Sequence, residues 1–175
     1  REEARGAEVD APLKEARQRA DSRQAAAGFT ALRGPGLTVV LNDSSRRAGD
    51  GGPNDPRNDD LVVHQGDVQA VVNALWAGGA EAMTIMDIRV VSTSAVRCVG
   101  NTLLLHGQVF SPPFKITAIG EPPALHRALE SAKGVQEFKT AVADFGLGYQ
   151  ETTERNVTVG AYDGSSDLRT ARAAQ

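Results

Sequence analysis

Three histidines, one cysteine and scattered carboxylates are what this 175-residue chain offers to acid–base, nucleophilic or metal chemistry. His64, His106 and His126 fall in no metal-binding spacing, since there is no His-Glu-x-x-His, no His-x-His and no cysteine pair. Each is read as a structural or solvent-exposed histidine, with His64, close to Asp67, the best placed for a role. No Gly-x-Ser-x-Gly elbow is present, so the serines of "SSR" and "STS" are ordinary polar residues. Cys98 with His106 is the most tempting nucleophile–base pair. Gly100-Asn101 is a two-residue hairpin signal, which sets Cys98 opposite Leu103 and Ala95 opposite His106. Successive pairs alternate faces, so Cys98 and His106 lie on opposite faces and about 10 Å apart along the strand. A dyad needs about 3 Å. The pair is rejected.

The remaining polar signals are weaker. "GDGGPND" lacks the lysine and the following helix of a phosphate-binding loop. "AIGEPPAL" brings a helix N-terminus to a strand end, a place that favours anions, but Glu121 stands there and competes. In "GGAEAMTIMDIRVV" the pair Asp87 and Arg89 is read as an exposed i, i+2 ion pair on a strand, worth at most about 1 kcal/mol.

The elements that would position these groups follow from periodicity and punctuation. Residues 1–33 are rich in Ala, Arg, Glu and Gln, and Val9, Leu13, Ala16, Ala20 and Ala27 trace a heptad seam that Arg23 interrupts. This is a helical or coiled-coil stub with a weak seam. Gly34-Pro35-Gly36 breaks it, and Leu37 to Leu41 form a buried strand. Residues 43–60 carry one apolar residue, Ala48, and are read as a mobile loop. "LVVHQ" is a short extended piece. Val68, Val71, Val72, Leu75 and Trp76 then mark an amphipathic helix with Asp67 as N-cap and Gly78-Gly79 as its stop.

Residues 81–91 follow as one strand whose faces swap near Met86-Asp87, which predicts a bulge or bend. The 92–107 hairpin comes next, then the strand "FKITAIG" and a helix that opens on prolines. A second amphipathic stretch carries Val135, Phe138, Val142 and Phe145. Two closing strands lie in "GLGYQETTERNVTVGAY", and residues 163–175 are a frayed polar tail. The order predicts an α+β domain over 34–162, with an antiparallel or mixed sheet and helices mainly on one face. Its core is a ferredoxin-like βαββαβ unit with extra strands, preceded by an N-terminal helix.

Bulk composition narrows the function classes. A formal net charge of −3 and 5% aromatics argue against nucleic acid as a partner. A single cysteine excludes an intrachain disulfide and a thiolate cluster. No stretch approaches the roughly 18 apolar residues of a membrane span. The start at "REEARG", without Met, is read as a fragment or processed product, so any membrane anchor lies outside this chain.

"GPGLTVVLND", "DVQAVVNALWAGGAEAMTIMDIRV", "VRCVGNTLLLHG" and "PPFKITAIGEPPAL" together resemble the bacterial domain of unknown function 881, particularly its actinobacterial members. The shared signals are Gly34-Pro35-Gly36, Asp43, Asp67, Asn73, Leu75, Gly79-Ala80-Glu81-Ala82, Arg89 and Ala118-Ile119-Gly120. The resemblance implies a single-span membrane protein with a helical segment leading to this domain on the extracytoplasmic side. It implies no cofactor and no catalytic residue. The first expectation is therefore a non-catalytic interaction module of a membrane-anchored cell-envelope protein. Such a module would self-associate through its N-terminal helix or sheet, or dock an envelope or division protein. The alternative is a small-molecule-binding sensor or an unrecognised hydrolase, with a polar pocket near Asn42, Asp43, Asp67, Glu81 and Arg89.

Overall fold

β1 (Leu32–Asn42) is the strand on which the sheet is built. In the computed structural model, which describes residues 2–49, 55–99, 101–164 and 170, it is paired along both edges. β7 (Phe114–Ile119) lies on one side and β8 (Gly148–Val159) on the other. β2 (Ala82–Ile85) joins β7, and β3 (Ile88–Val90) joins β2. The order is β3-β2-β7-β1-β8, with every neighbour antiparallel. α2 (Gln65–Ala77) links β1 to β2, while α3 (Pro122–Ser131) and α4 (Lys133–Phe145) link β7 to β8. The two crossovers interleave as in a ferredoxin-like βαββαβ unit, as the element order predicted. β3 is an added edge strand. A separate meander of β4 (Val96–Val99), β5 (Thr102–Leu105) and β6 (Gln108–Phe110) is inserted before β7.

Strand alternation decides which face is covered. Leu37, Val39 and Leu41 of β1 point to the helices, where they meet Met83, Ile85, Ile116 and Phe114 from the neighbouring strands. The helices answer with Val68, Val71 and Leu75 from α2, Leu125 and Leu129 from α3, and Val135 and Phe138 from α4. Leu103 and Leu105 bring the meander onto the same core. On the other face a small cluster of Ala82, Ile119, Val157 and Val159 occupies one end. Beside it, Arg89, Thr84, Thr117, Thr38 and Thr152 are register partners across all five strands. The Thr38 and Thr117 hydroxyls lie 3.1 Å apart. Threonine suits such a face because it combines β propensity with a hydrogen-bonding surface.

The local signals explain most boundaries, and the structure redraws several. α2 starts at Gln65 with His64 as its N-cap, whereas Asp67 sits in the first turn and accepts the His64 N–H at 2.7 Å. The stop is a Schellman turn: Ala80 N–H reaches Leu75 O, Gly79 N–H reaches Trp76 O, and Gly79 takes a left-handed φ of 88°. The phase break at Met86-Asp87 is a full reversal rather than a bulge. Both residues have positive φ, 51° and 66°, and Ile85 pairs with Ile88 across a two-residue turn. Asp87 and Arg89 therefore form no ion pair. Asp87 holds Lys115 at 2.7 Å on the neighbouring strand, and Arg89 is buried.

Gly34-Pro35-Gly36 is not what breaks the N-terminal helix either, since that helix ends at Ala26. The three residues lie inside β1, at a bulge where the pairing with β8 shifts, a position that tolerates proline. β1 begins at Leu32, so two residues assigned to the helical stub belong to the sheet, and α1 (Glu2–Ala26) ends earlier. β8 is one twelve-residue strand, not two. A second hairpin turns at His106-Gly107, both with positive φ. Within the expected mobile loop, the described ends are tied down: Ser44 N–H donates to Leu61 O and its hydroxyl to Phe145 O. Residues 58–61 form a 3₁₀ turn, while residues 50–54 lie outside the described residues, as does most of the 163–175 tail. No described helix is long and apolar enough to cross a membrane.

Two glycines make a direct test of this packing. A Cβ at Gly36 would lie 2.0 Å from the Ala118 carbonyl oxygen, whereas one at Gly66, in α2, meets nothing within 4 Å. Gly36→Ala is expected to cost at least about 2 kcal/mol by overpacking. Gly66→Ala is expected to stabilise by up to about 1 kcal/mol through helix propensity. Denaturant unfolding of the two variants checks both signs.

Candidate functional site

The five residues of the expected polar pocket divide between the two ends of α2. Asn42 and Asp43 close β1, where Asp43 Oδ1 accepts the Val63 N–H at 2.9 Å and the Asn42 side-chain oxygen accepts the Asp43 N–H at 3.0 Å. Asp67 is at the adjoining N-terminal end of the helix. Glu81 follows the helix's C-terminal stop, and Arg89 is on β3 beside it, where both line one cleft. From Asp67 to Ala77 the helix rises about 15 Å. The geometry therefore offers two polar groups rather than one.

At the α2 N-terminus a cleft of about 380 Å³ runs between Asp59, His64 and Asp67 on one wall and Glu137, Phe138 and Phe145 on the other. That volume falls within the range of small-molecule pockets. His64 Nε2 is 3.0 Å from Asp59 Oδ1, and Nδ1 is 3.5 Å from Asp67 Oδ2. The hydrogen bond to Asp59 raises the His64 pKa above its ordinary value; burial works against it, and the charges of Asp59 and Asp67 add to it. Protonated, the imidazole ties the 3₁₀ turn to the first turn of α2. No serine, threonine or cysteine is among the described lining residues.

A second network, which the sequence did not reveal, lies on the helix side of β8. His126 Nδ1 is 2.8 Å from Glu151 Oε2, and Lys139 Nζ is 2.7 Å from Glu130 and 3.4 Å from Glu151. The Tyr149 hydroxyl donates to Glu151, and Lys139 sits over the Tyr149 ring at 4.8 Å. Burial pushes the Glu151 carboxyl up, but hydrogen bonds from Tyr149 and His126 and the Lys139 charge reverse this and hold it low. Burial, then the bond to Glu151, pushes the Tyr149 phenol far above its ordinary value. Ligand atoms of His126, Glu130 and Glu151 lie within 4.8 Å of one another, a set that could hold a metal ion. Lys139 already neutralises two of its three members, so the arrangement is self-sufficient as a pin of α3 and α4 to β8. The only sequence signal was His126 and Glu130 at i, i+4. Their partner Glu151 lies more than twenty residues on.

Among the described residues Arg89 is the one strongly buried charge, 6% exposed. Nη1 donates to the carbonyls of Thr30 at 3.2 Å and Gly160 at 2.8 Å, tying β3 to the segments that precede β1 and follow β8. Burial lowers its pKa. The Cys98–His106 separation also holds. Cys98 N–H donates to Gln65 Oε1, while His106 Nε2 lies 2.9 Å from Ser94 Oγ and its ring packs edge-on against Tyr162.

The His64 clamp gives a pH prediction. Its folded pKa is raised, so the stability it contributes is complete below the unfolded value near 6.5 and is lost as pH rises through the folded value. In the proton NMR spectrum, the His64 imidazole is expected to titrate above about 6.5. Asp59→Asn is expected to bring the midpoint back down. An unchanged midpoint in that variant removes the clamp.

Comparison with known proteins agrees with these geometries in offering no established chemistry. A family model described as "Bacterial protein of unknown function (DUF881)" matches residues 19–172. The UPF0749 protein Rv1823 of Mycobacterium tuberculosis is 30% identical over 132 residues, covering 74% of this chain and 43% of that protein. The UPF0749 protein YlxW of Bacillus subtilis is 30% identical over 108 residues, covering 62% of this chain and 45% of that one. The chain thus spans less than half the length of these relatives. A crystal structure of an uncharacterised conserved protein from Mycobacterium tuberculosis superposes with a TM-score of 0.66 at 26% identity. It is matched over 89% of this chain and 99% of its own. The match over most of the domain, in sequence and in fold, makes this chain a member of the DUF881 family.

Proposed function

We propose that this domain is a non-catalytic self-association module, carried outside the cytoplasmic membrane by a membrane-anchored parent and joined to further copies through α1. The observation that carries the reading is the exposure of α1. Every side chain from residue 11 to residue 24 is exposed to solvent. Helices in water draw most of their stability from packing, so a helix exposed on all sides over residues 11–24 calls for a partner outside the domain. Leu13, Ala16 and Ala20 supply a seam for a second copy, and Glu15 with Arg19, 3.8 Å apart, lies on its flank. Such a seam buries little area and pairs weakly in solution. Tethering to a membrane raises local concentration and makes weak contacts effective. The family resemblance supports the tether and its extracytoplasmic side.

Truncation separates the helix from the fold. A chain beginning at residue 27 keeps Thr30, Leu32 and Arg33, which hold Arg89, the outer-face cluster and Asn156. It is expected to unfold at the temperature of the full chain and to lose concentration-dependent mass in light scattering. A chain beginning at residue 34 is expected to be less stable by roughly 2 kcal/mol or more, since it loses a buried charge's acceptor and an apolar contact. Equal self-association by the residue-27 chain and the full chain defeats the proposal.

A further inference from the structure

The Arg89 guanidinium has five N–H donors, and its two assigned bonds both leave from Nη1. Among the described residues nothing accepts from Nε or Nη2, and no carboxylate is paired with this 6%-exposed charge. Neither of these nitrogens is a buried atom without a partner, so the unbonded edge of the guanidinium is open to solvent. Nε–H and the adjacent Nη2–H form the parallel edge that matches a carboxylate in bidentate fashion.

That edge faces an opening. Arg89 lines a cleft of about 350 Å³ together with Gly28, Trp76, Glu81, Val91 and Ser92. A Cβ at Gly28 would stand 3.7 Å from Nη2 and 3.8 Å from Nε, and 2.5 Å from Val91 Cγ1. Glycine, at a φ of 93°, is what leaves the space beside the guanidinium free. Trp76 presents an indole that is 39% exposed, although it belongs to the apolar stripe of α2. Glu81, also in the lining, is exposed and forms no ion pair among the described residues. One fixed cation, one unpaired carboxylate and an aromatic wall make a site of balanced charge. A phosphate dianion would meet repulsion from Glu81, whereas a molecule carrying both charges meets complement at each end.

We propose that this cleft binds a small zwitterion of amino-acid or dipeptide size. Its carboxylate lies on Nε and Nη2 of Arg89, its ammonium turns toward Glu81, and its apolar part rests on Trp76. The site does not rest on the self-association of α1: its charged and aromatic contacts lie on α2, β3 and the segment before β2, and α1 gives the lining only its last residue, Ala26.

Trp76 is the chain's only tryptophan, so its fluorescence reports directly on the cleft. The full chain is titrated with alanine and with alanyl-alanine, and in parallel with acetate, methylammonium and inorganic phosphate. Expected is a saturable change with a zwitterion below about 10 mM, and responses at least about tenfold weaker for the three probes that carry charge of one sign only. Arg89→Lys is expected to weaken zwitterion binding about tenfold, since an ammonium cannot make the bidentate contact. Should that variant fail to fold, Glu81→Gln, an exposed substitution, is expected to fold normally and to lose the preference for alanine over acetate. The proposal is overturned by no saturable response to either zwitterion, by acetate or phosphate binding as well as alanine, or by an unchanged preference in Glu81→Gln.

Discussion

The backbones of β1 and β7 approach so closely at Gly36 that the Ala118 carbonyl fills the place of a side chain. That contact sits at the crossing of the two βαβ units, where strands from opposite halves of the chain are hydrogen-bonded neighbours. With the two strands seated there, Leu37, Val39 and Leu41 alternate onto the helices, and Thr38 meets Thr117 on the open face. The bulge beside Gly36 also lets β8 continue past the turn of register, so that Val157 and Val159 close the far end of the sheet. Core, open face and the end that holds Arg89 all take their places from one close approach.

Periodic signals were legible because they are local. The α2 stripe, the run from Leu37 to Leu41, the glycine stop and the Cys98–Leu103 register could each be read from neighbours within a few residues, and the element order carried the ferredoxin-like topology. What escaped had non-local causes. Met86-Asp87 reverses the chain without the usual Asn-Gly; it is held by Lys115, whose carbonyl accepts the Met86 N–H and whose N–H donates to the Met86 sulfur. Pro35 reads as punctuation, yet its carbonyl accepts the Gly120 N–H inside the sheet. Arg89 looked like a surface residue because its acceptors lie 59 and 71 positions away. The five-residue polar site failed to converge for a related reason: sequence shows which polar residues stand out, but α2 decides which of them share an end.

The charges that do gather are mostly balanced where they stand. His64 is neutralised by Asp59 and Asp67, and Lys139 by Glu130 and Glu151, with His126 and Tyr149 completing the second set. Networks of this kind hold elements together and have little left to offer a ligand. Arg89 and Glu81 differ in sharing a cleft without sharing a bond. In a family without an assigned chemistry, two charges left unpaired in one cleft are a more specific guide than any motif in the chain.

The Arg89 tie also has a mechanical meaning. Leu32 at the start of β1 is the register partner of Val159 at the end of β8, so the two segments leaving the sheet depart side by side. Tension between them would load the antiparallel ladder as a zipper, one pair at a time, which is the compliant direction of a sheet. The guanidinium bridges Thr30, two residues before Leu32, and Gly160, the residue after Val159. A pull would therefore meet a charge-assisted cross-link before it reached the first rung, and the domain resists fraying at the end where α1 would deliver force.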